Sequence, residues 1–253
     1  MSNLILPNGK IKNIKMVIFD KDGTLIDIHY YWCSMIEFRA KFFVDTIKNI
    51  DKTKLYDDLV DAMGINQETK KMKPEGPVGI KPRGFIIDTA LNVLQIYDET
   101  YTKEMVENIF KRVDEYSKEH LASIVKPLFY VVELLEELTK ADIKITIATT
   151  DLTNRAKLAM ESLNLDKCFI DIVGADLVQN AKPSSDLVDY IVQKFNLSYD
   201  EIIVIGDSMA DCGMAKNAKC RFIGVKSGLY TDKFLEADNI IDDLKQIKVE
   251  KSK

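Results

Sequence analysis

Cysteine is scarce and unpatterned in this chain of 253 residues. There are four, Cys33, Cys168, Cys212 and Cys220. None belongs to a C-x-x-C and no Cys/His group has zinc-ligand spacing, so a structural zinc site and a dithiol redox motif are excluded. Thiols in a reducing compartment are expected, not disulfides. The N-terminal stretch MSNLILPNGKIKN has no long apolar core, which excludes a signal peptide, and no apolar run is long enough to span a bilayer. A cytoplasmic location is expected. Positive charge is not in excess either: the net charge of −5 provides no electrostatic footprint for nucleic acid. An anionic substrate must therefore meet local cations or a metal. No G-x-x-x-x-G-K-[ST], G-x-G-x-x-G or G-x-S-x-G occurs, so nucleotide-loop and serine-hydrolase chemistry have no support. Internal repeats and low-complexity segments are also missing.

What is present begins at Met16–Leu25, MVIFDKDGTL. The run Val17-Ile18-Phe19 suits a buried strand, being short and β-branched or aromatic. It ends in Asp20 and Asp22, then Gly23-Thr24. Period-2 alternation predicts that Asp20 and Asp22 face one side, with Lys21 pointing away from both. Two carboxylates at one strand end repel each other. The pair makes sense with a cation between them, or with one as nucleophile and the other as acid/base.

Further along, strand-like and helix-like segments alternate. Leu128–Thr139 is amphipathic and Ile143–Thr149 reads as a strand. Arg155–Leu163 is helical and Phe169–Gly174 a strand. Pro183 suits the start of a helix over Ser184–Phe195, and Glu201–Gly206 and Arg221–Val225 are strands. This predicts an α/β fold, a Rossmann-like parallel sheet core with helices on both faces. Ligands of such sheets sit beyond the strands' carboxyl ends, where Asp20, Thr149 and Asp207 would converge.

The stretch from His29 to about Glu119 has another texture. Tyr30–Ile50 carries an aromatic and aliphatic stripe at helical spacing, which reads as helix-packing core. Helices resume at Phe85–Tyr97 and Lys103–Lys118. The expected organisation is a core of residues 1–27 and 121–253, with residues 28–120 inserted as an α-helical cap domain. His29 reads as a linker residue, and lysine-rich Lys245–Lys253 as a solvated tail.

Three later segments complete a chemical set. Ile145–Thr150 ends a strand in hydroxyls, and Thr149 with the backbone of Thr150 can bind a phosphoryl oxygen. Lys182 precedes Pro183 and can neutralise a carboxylate and a phosphoryl group together. Ile202–Ala215, IIVIGDSMADCGMA, is another apolar strand, ending in Gly206-Asp207 with Asp211 four residues on. These carboxylates either cap the next helix or complete a hard-oxygen site suited to Mg²⁺.

On Asp20-Lys21-Asp22-Gly23-Thr24, Thr149, Lys182-Pro183 and Gly206-Asp207-Ser208 with Asp211, the sequence resembles the haloacid dehalogenase-like hydrolase superfamily. The segment Ala215–Gly228 and the placement of the insert are similar to its phosphoglycolate phosphatase-like branch, with a helical type 1 cap. The resemblance implies Asp20 as a nucleophile that becomes an aspartyl-phosphate, and Asp22 as acid, then base. It implies Mg²⁺ held by Asp20, the backbone carbonyl of Asp22, and Asp207, with Asp211 bound directly or through water. Thr149, Thr150 and Lys182 would stabilise phosphoryl charge, and Thr24 would orient the loop that carries Asp22.

Asp22 argues against a dehalogenase, which needs no acid for an alcohol leaving group. The expected activity is Mg²⁺-dependent hydrolysis of a small phosphorylated metabolite. A sugar phosphomutase, or a non-catalytic binding module on the same fold, stands as the alternative. Gln67–Arg83 is broken by three prolines and two glycines. Within it Lys73–Arg83 is the candidate loop over the site, with Lys81 and Arg83 as candidate substrate contacts. Lys21 reads as neutral for the chemistry, paired at most with a neighbouring acid.

Overall fold

Strands and helices alternate as the apolar pattern requires. The computed structural model describes residues 2–48, 50–78, 81–228, 237 and 239–251. Its strands are β1 (Ser2–Leu6), β2 (Gly9–Ile14), β3 (Met16–Phe19), β4 (Ile65–Asn66), β5 (Lys71–Met72), β6 (Lys144–Ala148), β7 (Asp171–Val173), β8 (Ile202–Gly206), β9 (Arg221–Val225), β10 (Ile240–Ile241) and β11 (Lys248–Lys251). The chain divides into two compact units, residues 1–28 with 125–253, and residues 29–124. The sequence reading placed the second crossing at residue 121. Leu121–Ile124 instead forms one helical turn with Leu121 and Ile124 buried.

The first unit is built on a six-stranded sheet in the order β10-β9-β8-β3-β6-β7. All five pairings are parallel. Every residue of β3 and β8 is buried, which explains their unbroken apolar sequences: both faces are covered. On one face Met16, Ile18, Ile202 and Val204 pack with Leu187, Val188 and Ile191 of the helix Asp186–Phe195, and with Cys212, Met214 and Ala215 of the helix Met209–Ala218. Each fully buried side chain of this size contributes roughly 1.5–3 kcal/mol. The helix Val131–Lys140 packs near β6 and buries Val131, Leu134, Leu135 and Leu138 at 3.6-residue spacing. From β3 the sheet grows through β6 to β7, then resumes at β8 on the opposite side of β3. The topological switch is therefore at β3, and ligand crevices form at such points.

Some boundaries differ from expectation. The helix foreseen from Ser184 begins at Asp186. The C-terminal segment is a strand, not a solvated tail: β11 pairs antiparallel with β1, which also pairs with β2. Val249 opposite Leu4 supplies an inward apolar position. The flanking Lys248, Glu250 and Lys251 remain exposed, and the lysine-rich composition masks the alternation. Residues 252 and 253 lie outside the described residues.

The crossings to the second unit run side by side where they leave the core. Ile26 bridges Pro127, Asp27 N–H donates to Lys126 O at 2.9 Å, and Leu128 N–H donates to Leu25 O at 3.0 Å.

The second unit is helical, with helices Ile28–Val44 (entered from the core's last residue), Lys52–Met63, Arg83–Tyr97 and Lys103–Glu119, and the small β4–β5 hairpin. The aromatic stripe is packing. Phe38 and Phe42 meet the Tyr116 ring edge-on at 5.0 and 5.3 Å, and Phe43 lies 6.2 Å from Phe110. His29 accepts a hydrogen bond from Met72 N–H through Nδ1 at 3.2 Å, a structural contact. Among the described residues no helix is long and apolar enough to cross a membrane.

Candidate active site

Three segments deliver carboxylates to the β3 switch point. Asp20 follows β3 directly, and its N–H donates to Ile205 O at 2.9 Å, which extends the β3–β8 pairing by one step. Asp207 follows β8. Asp211 lies in the first turn of the helix Met209–Ala218. All three are buried, and one oxygen from each lies within 4.8 Å of the others.

Lys182 fills the gap between two of them. Its Nζ donates to Asp20 Oδ1 at 2.5 Å and to Asp211 Oδ1 at 2.6 Å, and its side chain is 2% exposed. Burial alone would lower its ammonium. The charges of Asp20 and Asp211 outweigh burial and hold it above the usual lysine range. Asp20 is pushed up to about 6, by burial first, against the pull of Lys182, with Asp211 and Asp22 adding repulsion. Asp207 is raised well above the ordinary carboxylate range, by burial and then by Asp20 and Asp211, with its Thr24 hydrogen bond as partial relief.

Asp211 caps its helix with one oxygen and turns the other to Lys182. Its Oδ2 accepts from Ser208 N–H at 3.1 Å and from Ser208 Oγ at 2.5 Å, capping the helix, while Oδ1 faces Lys182. Thr24 is fully buried, and its hydroxyl donates to Asp207 Oδ1 at 3.1 Å. It thereby orients a carboxylate of another motif. Asp207 is hemmed in by glycines. A Cβ on Gly228 would stand 2.0 Å from its Oδ2, and one on Gly23, at φ +93°, would stand 2.3 Å away.

Thr149 follows β6, is buried, and accepts Asp151 N–H on Oγ1 at 3.1 Å. Its own hydroxyl proton is left to donate. Thr150 beside it is exposed.

Strand alternation fails beyond Phe19, because β3 ends there and the chain turns. Leu25 N–H and Ile26 N–H both donate to Lys21 O at 2.9 Å. Lys21 therefore does not point away from Asp22. Its Nζ lies 2.8 Å from Asp22 Oδ1 and Oδ2 and 3.2 Å from Asp151 Oδ2. Asp151 is absent from the sequence expectations, and Ser208 stands there in a motif without a role. Their signal was adjacency: Asp151 closes Thr149-Thr150-Asp151, and Ser208 follows Gly206-Asp207.

In the helical unit, Arg83 pairs with Asp114 at 2.7 Å and lies over the Phe110 ring at 5.4 Å. Lys81 Nζ is 5.8 Å from the Phe85 ring centroid. Residues 79 and 80 of the candidate loop lie outside the described residues.

One ammonium among three buried carboxylates leaves negative charge uncompensated. That donor set, all oxygen and crowded, fits a hard divalent cation. Carboxylates crowded enough for a cation, a lysine on two of them and a hydroxyl at the end of the next strand, gathered at the switch of a parallel sheet, define an α/β enzyme suited to an anionic substrate.

The family model of the haloacid dehalogenase-like hydrolases matches residues 17–225, and the chain belongs to that family. It is 26% identical over 217 residues to pyrophosphatase PpaX of Listeria innocua, covering 86% of this chain and 84% of that one. It is 23% identical over 241 residues to phosphoglycolate phosphatase of Vibrio parahaemolyticus, covering 93% and 95%. A crystal structure described as a predicted phosphoglycolate phosphatase from Haemophilus somnus 129PT superposes with a TM-score of 0.67 at 20% identity, covering 92% and 96%.

Proposed function

We propose that this chain is a Mg²⁺-dependent phosphatase that hydrolyses the phosphomonoester of a small metabolite through an aspartyl-phosphate on Asp20. The observation that carries the reading is Lys182, held at 2.5 Å from Asp20 and 2.6 Å from Asp211 at the β3 switch point. It fixes one carboxylate oxygen of the nucleophile and leaves the other to attack.

Asp20 attacks phosphorus as the bond to the ester oxygen breaks, and Asp22 protonates that oxygen. Asp22, now a carboxylate, takes a proton from water as the water attacks the phosphoaspartate. Orthophosphate leaves and Asp20 is restored. Thr149 and the Thr150 N–H, with Lys182, bind phosphoryl oxygens. Asp20, the Asp22 main-chain carbonyl and Asp207 would hold Mg²⁺, with Asp211 ligating directly or through water. When bound, that ion supplies positive charge against the repulsion between Asp20 and an anionic ester.

The helical unit, with Lys81 and Arg83, is the proposed cap and chooses the leaving group. A cap that closes excludes bulky esters. All four cysteines are thiols, which supports a cytoplasmic setting.

The test is Mg²⁺-dependent phosphate release across small phosphate esters and pyrophosphate, with Asp20→Asn as the blank. Release that vanishes in the variant is expected. Turnover by a clean Asp20→Asn preparation would overturn the nucleophile. Metal binding without release from any compound would favour a mutase or a binding module.

A further inference from the structure

We propose that Lys21 is a positioning residue for Asp22, and that it anchors the proton donor to Asp151 on the neighbouring strand end. The proposal rests on Asp22 serving as acid and base.

Lys21 is 2% exposed, and a buried ammonium is costly unless carboxylates face it. Two do. Its Nζ lies 2.8 Å from both oxygens of Asp22, so the ammonium can hold either oxygen and leave the other to carry and pass the proton. The same nitrogen is 3.2 Å from Asp151 Oδ2.

Asp151 is a fixed post. Its Oδ1 accepts Leu152 N–H at 2.8 Å, its N–H is held by Thr149 Oγ1 at 3.1 Å, and its carbonyl accepts Ala175 N–H at 3.0 Å. Arg155 Nε stands 3.7 Å from its Oδ2.

Four of the site's acids thus fall into two pairs, each with its own lysine, while Asp207 is held by Thr24. Lys182 joins Asp20 and Asp211, and Lys21 joins Asp22 and Asp151. The first lysine serves the nucleophile. The second ties the loop after β3, which carries the proton donor, to the loop after β6, which carries the phosphate-binding hydroxyl. A carboxylate that is 26% exposed would otherwise sample several rotamers, and misplacement by about 1 Å costs roughly 10²-fold in rate.

The step concerned is phosphoryl transfer to Asp20. The bond from Asp20 to phosphorus forms, the bond from phosphorus to the ester oxygen breaks, and the proton of Asp22 passes to that oxygen. The products are an alcohol, phosphoaspartate and the Asp22 carboxylate, whose new charge faces the Lys21 ammonium. An ester whose leaving oxygen is already a weak base needs no such proton.

The test compares kcat/KM, which reports on this transfer, for an alkyl phosphate chosen from the release screen and for 4-nitrophenyl phosphate. Lys21→Met is expected to lower the alkyl value by roughly 30–100-fold, a part of the roughly 10²–10⁴-fold that acid catalysis contributes, and the aryl value by less than about 3-fold. Lys21→Arg keeps the cation and is expected to recover most of the alkyl activity. Asp151→Asn, a milder change at a partly exposed residue, is expected to move the same ratio the same way, and serves if Lys21→Met fails to fold.

An equal fall on both esters, or no fall, would overturn the proposal. Asp22→Asn separates the two readings. If it shows no leaving-group dependence, Asp22 is not the acid. If it shows the dependence while the Lys21 and Asp151 variants do not, only the role of Lys21 fails.

Discussion

Replacing Asp207 with asparagine should raise the melting temperature of the metal-free protein while ending its response to Mg²⁺. Asp207 shares a buried site with Asp20 and Asp211, one oxygen from each within 4.8 Å of the others, and Lys182 donates to the other two. At that separation and an effective dielectric of about 20, each ionised pair repels by roughly 3.5 kcal/mol. Protonation caps the penalty. An acid with an ordinary value of 3.8 cannot cost more than about 5 kcal/mol at about pH 7.5, because beyond that it takes up a proton. Asparagine still pays for burial, though it keeps an acceptor for Thr24, so a net gain of about 3 kcal/mol remains. For a chain of this size that is a rise of roughly 6–12 °C.

The sign with pH follows from the raised value. Stability from the protonated acid is present below 3.8 and is lost as pH rises through the higher folded value. The gap between variant and wild type is therefore widest at neutral pH and closes in acid. Saturating Mg²⁺ at about 100 times its Kd adds roughly 2.7 kcal/mol to the wild type and should add little to the variant. Scanning calorimetry in chelator and in Mg²⁺, at two pH values, reads all of this. A metal-free variant that melts at or below the wild type near neutral pH would refute the reasoning.

Gly228→Ala sets a Cβ 2.0 Å from Asp207 Oδ2, and should weaken Mg²⁺ affinity by more than about 10-fold with the circular dichroism spectrum unchanged. Titration of both proteins by calorimetry checks it. Glu201 is held at about 2 by its hydrogen bond with Lys15, at 2.5 Å, and by Ser198. Its contribution to stability is present above 4.5 and lost as pH falls through the lower value, so Glu201→Gln should flatten the acid limb of the melting profile. Arg83→Ala breaks a half-exposed pair with Asp114, worth at most about 1 kcal/mol. It should raise KM for the preferred substrate more than for 4-nitrophenyl phosphate, and equal effects would remove Arg83 from recognition.

The sheet and its active edge were legible because the strands that carry them are buried on both faces. Val17-Ile18-Phe19 and Ile202–Ile205 are unbroken apolar runs, and each stops at a carboxylate. Helical spacing likewise revealed the stripe around Phe38, Phe42 and Phe43. What escaped depends on where backbone direction changes. Period-2 reasoning carried Asp20, Lys21 and Asp22 along a strand that ends at Phe19. It therefore sent Lys21 away from the acid it contacts. β11 was hidden by its lysines, since one inward residue, Val249, is too little alternation to recognise. Asp151 had no local signal beyond its neighbours, because its partner Lys21 is distant in sequence.

The core closes on itself at Ile26 and Pro127, and everything between is, to the sheet, the loop of a hairpin. Closure entropy grows only with the logarithm of loop length. A tight turn and a whole helical module are therefore nearly equivalent burdens on the core. The core asks of such a module only two ends that arrive at that short ladder. With the proposed role of that module in choosing the leaving group, exchanging what lies between residues 28 and 125 would change the substrate and leave the residues proposed for the chemistry in place.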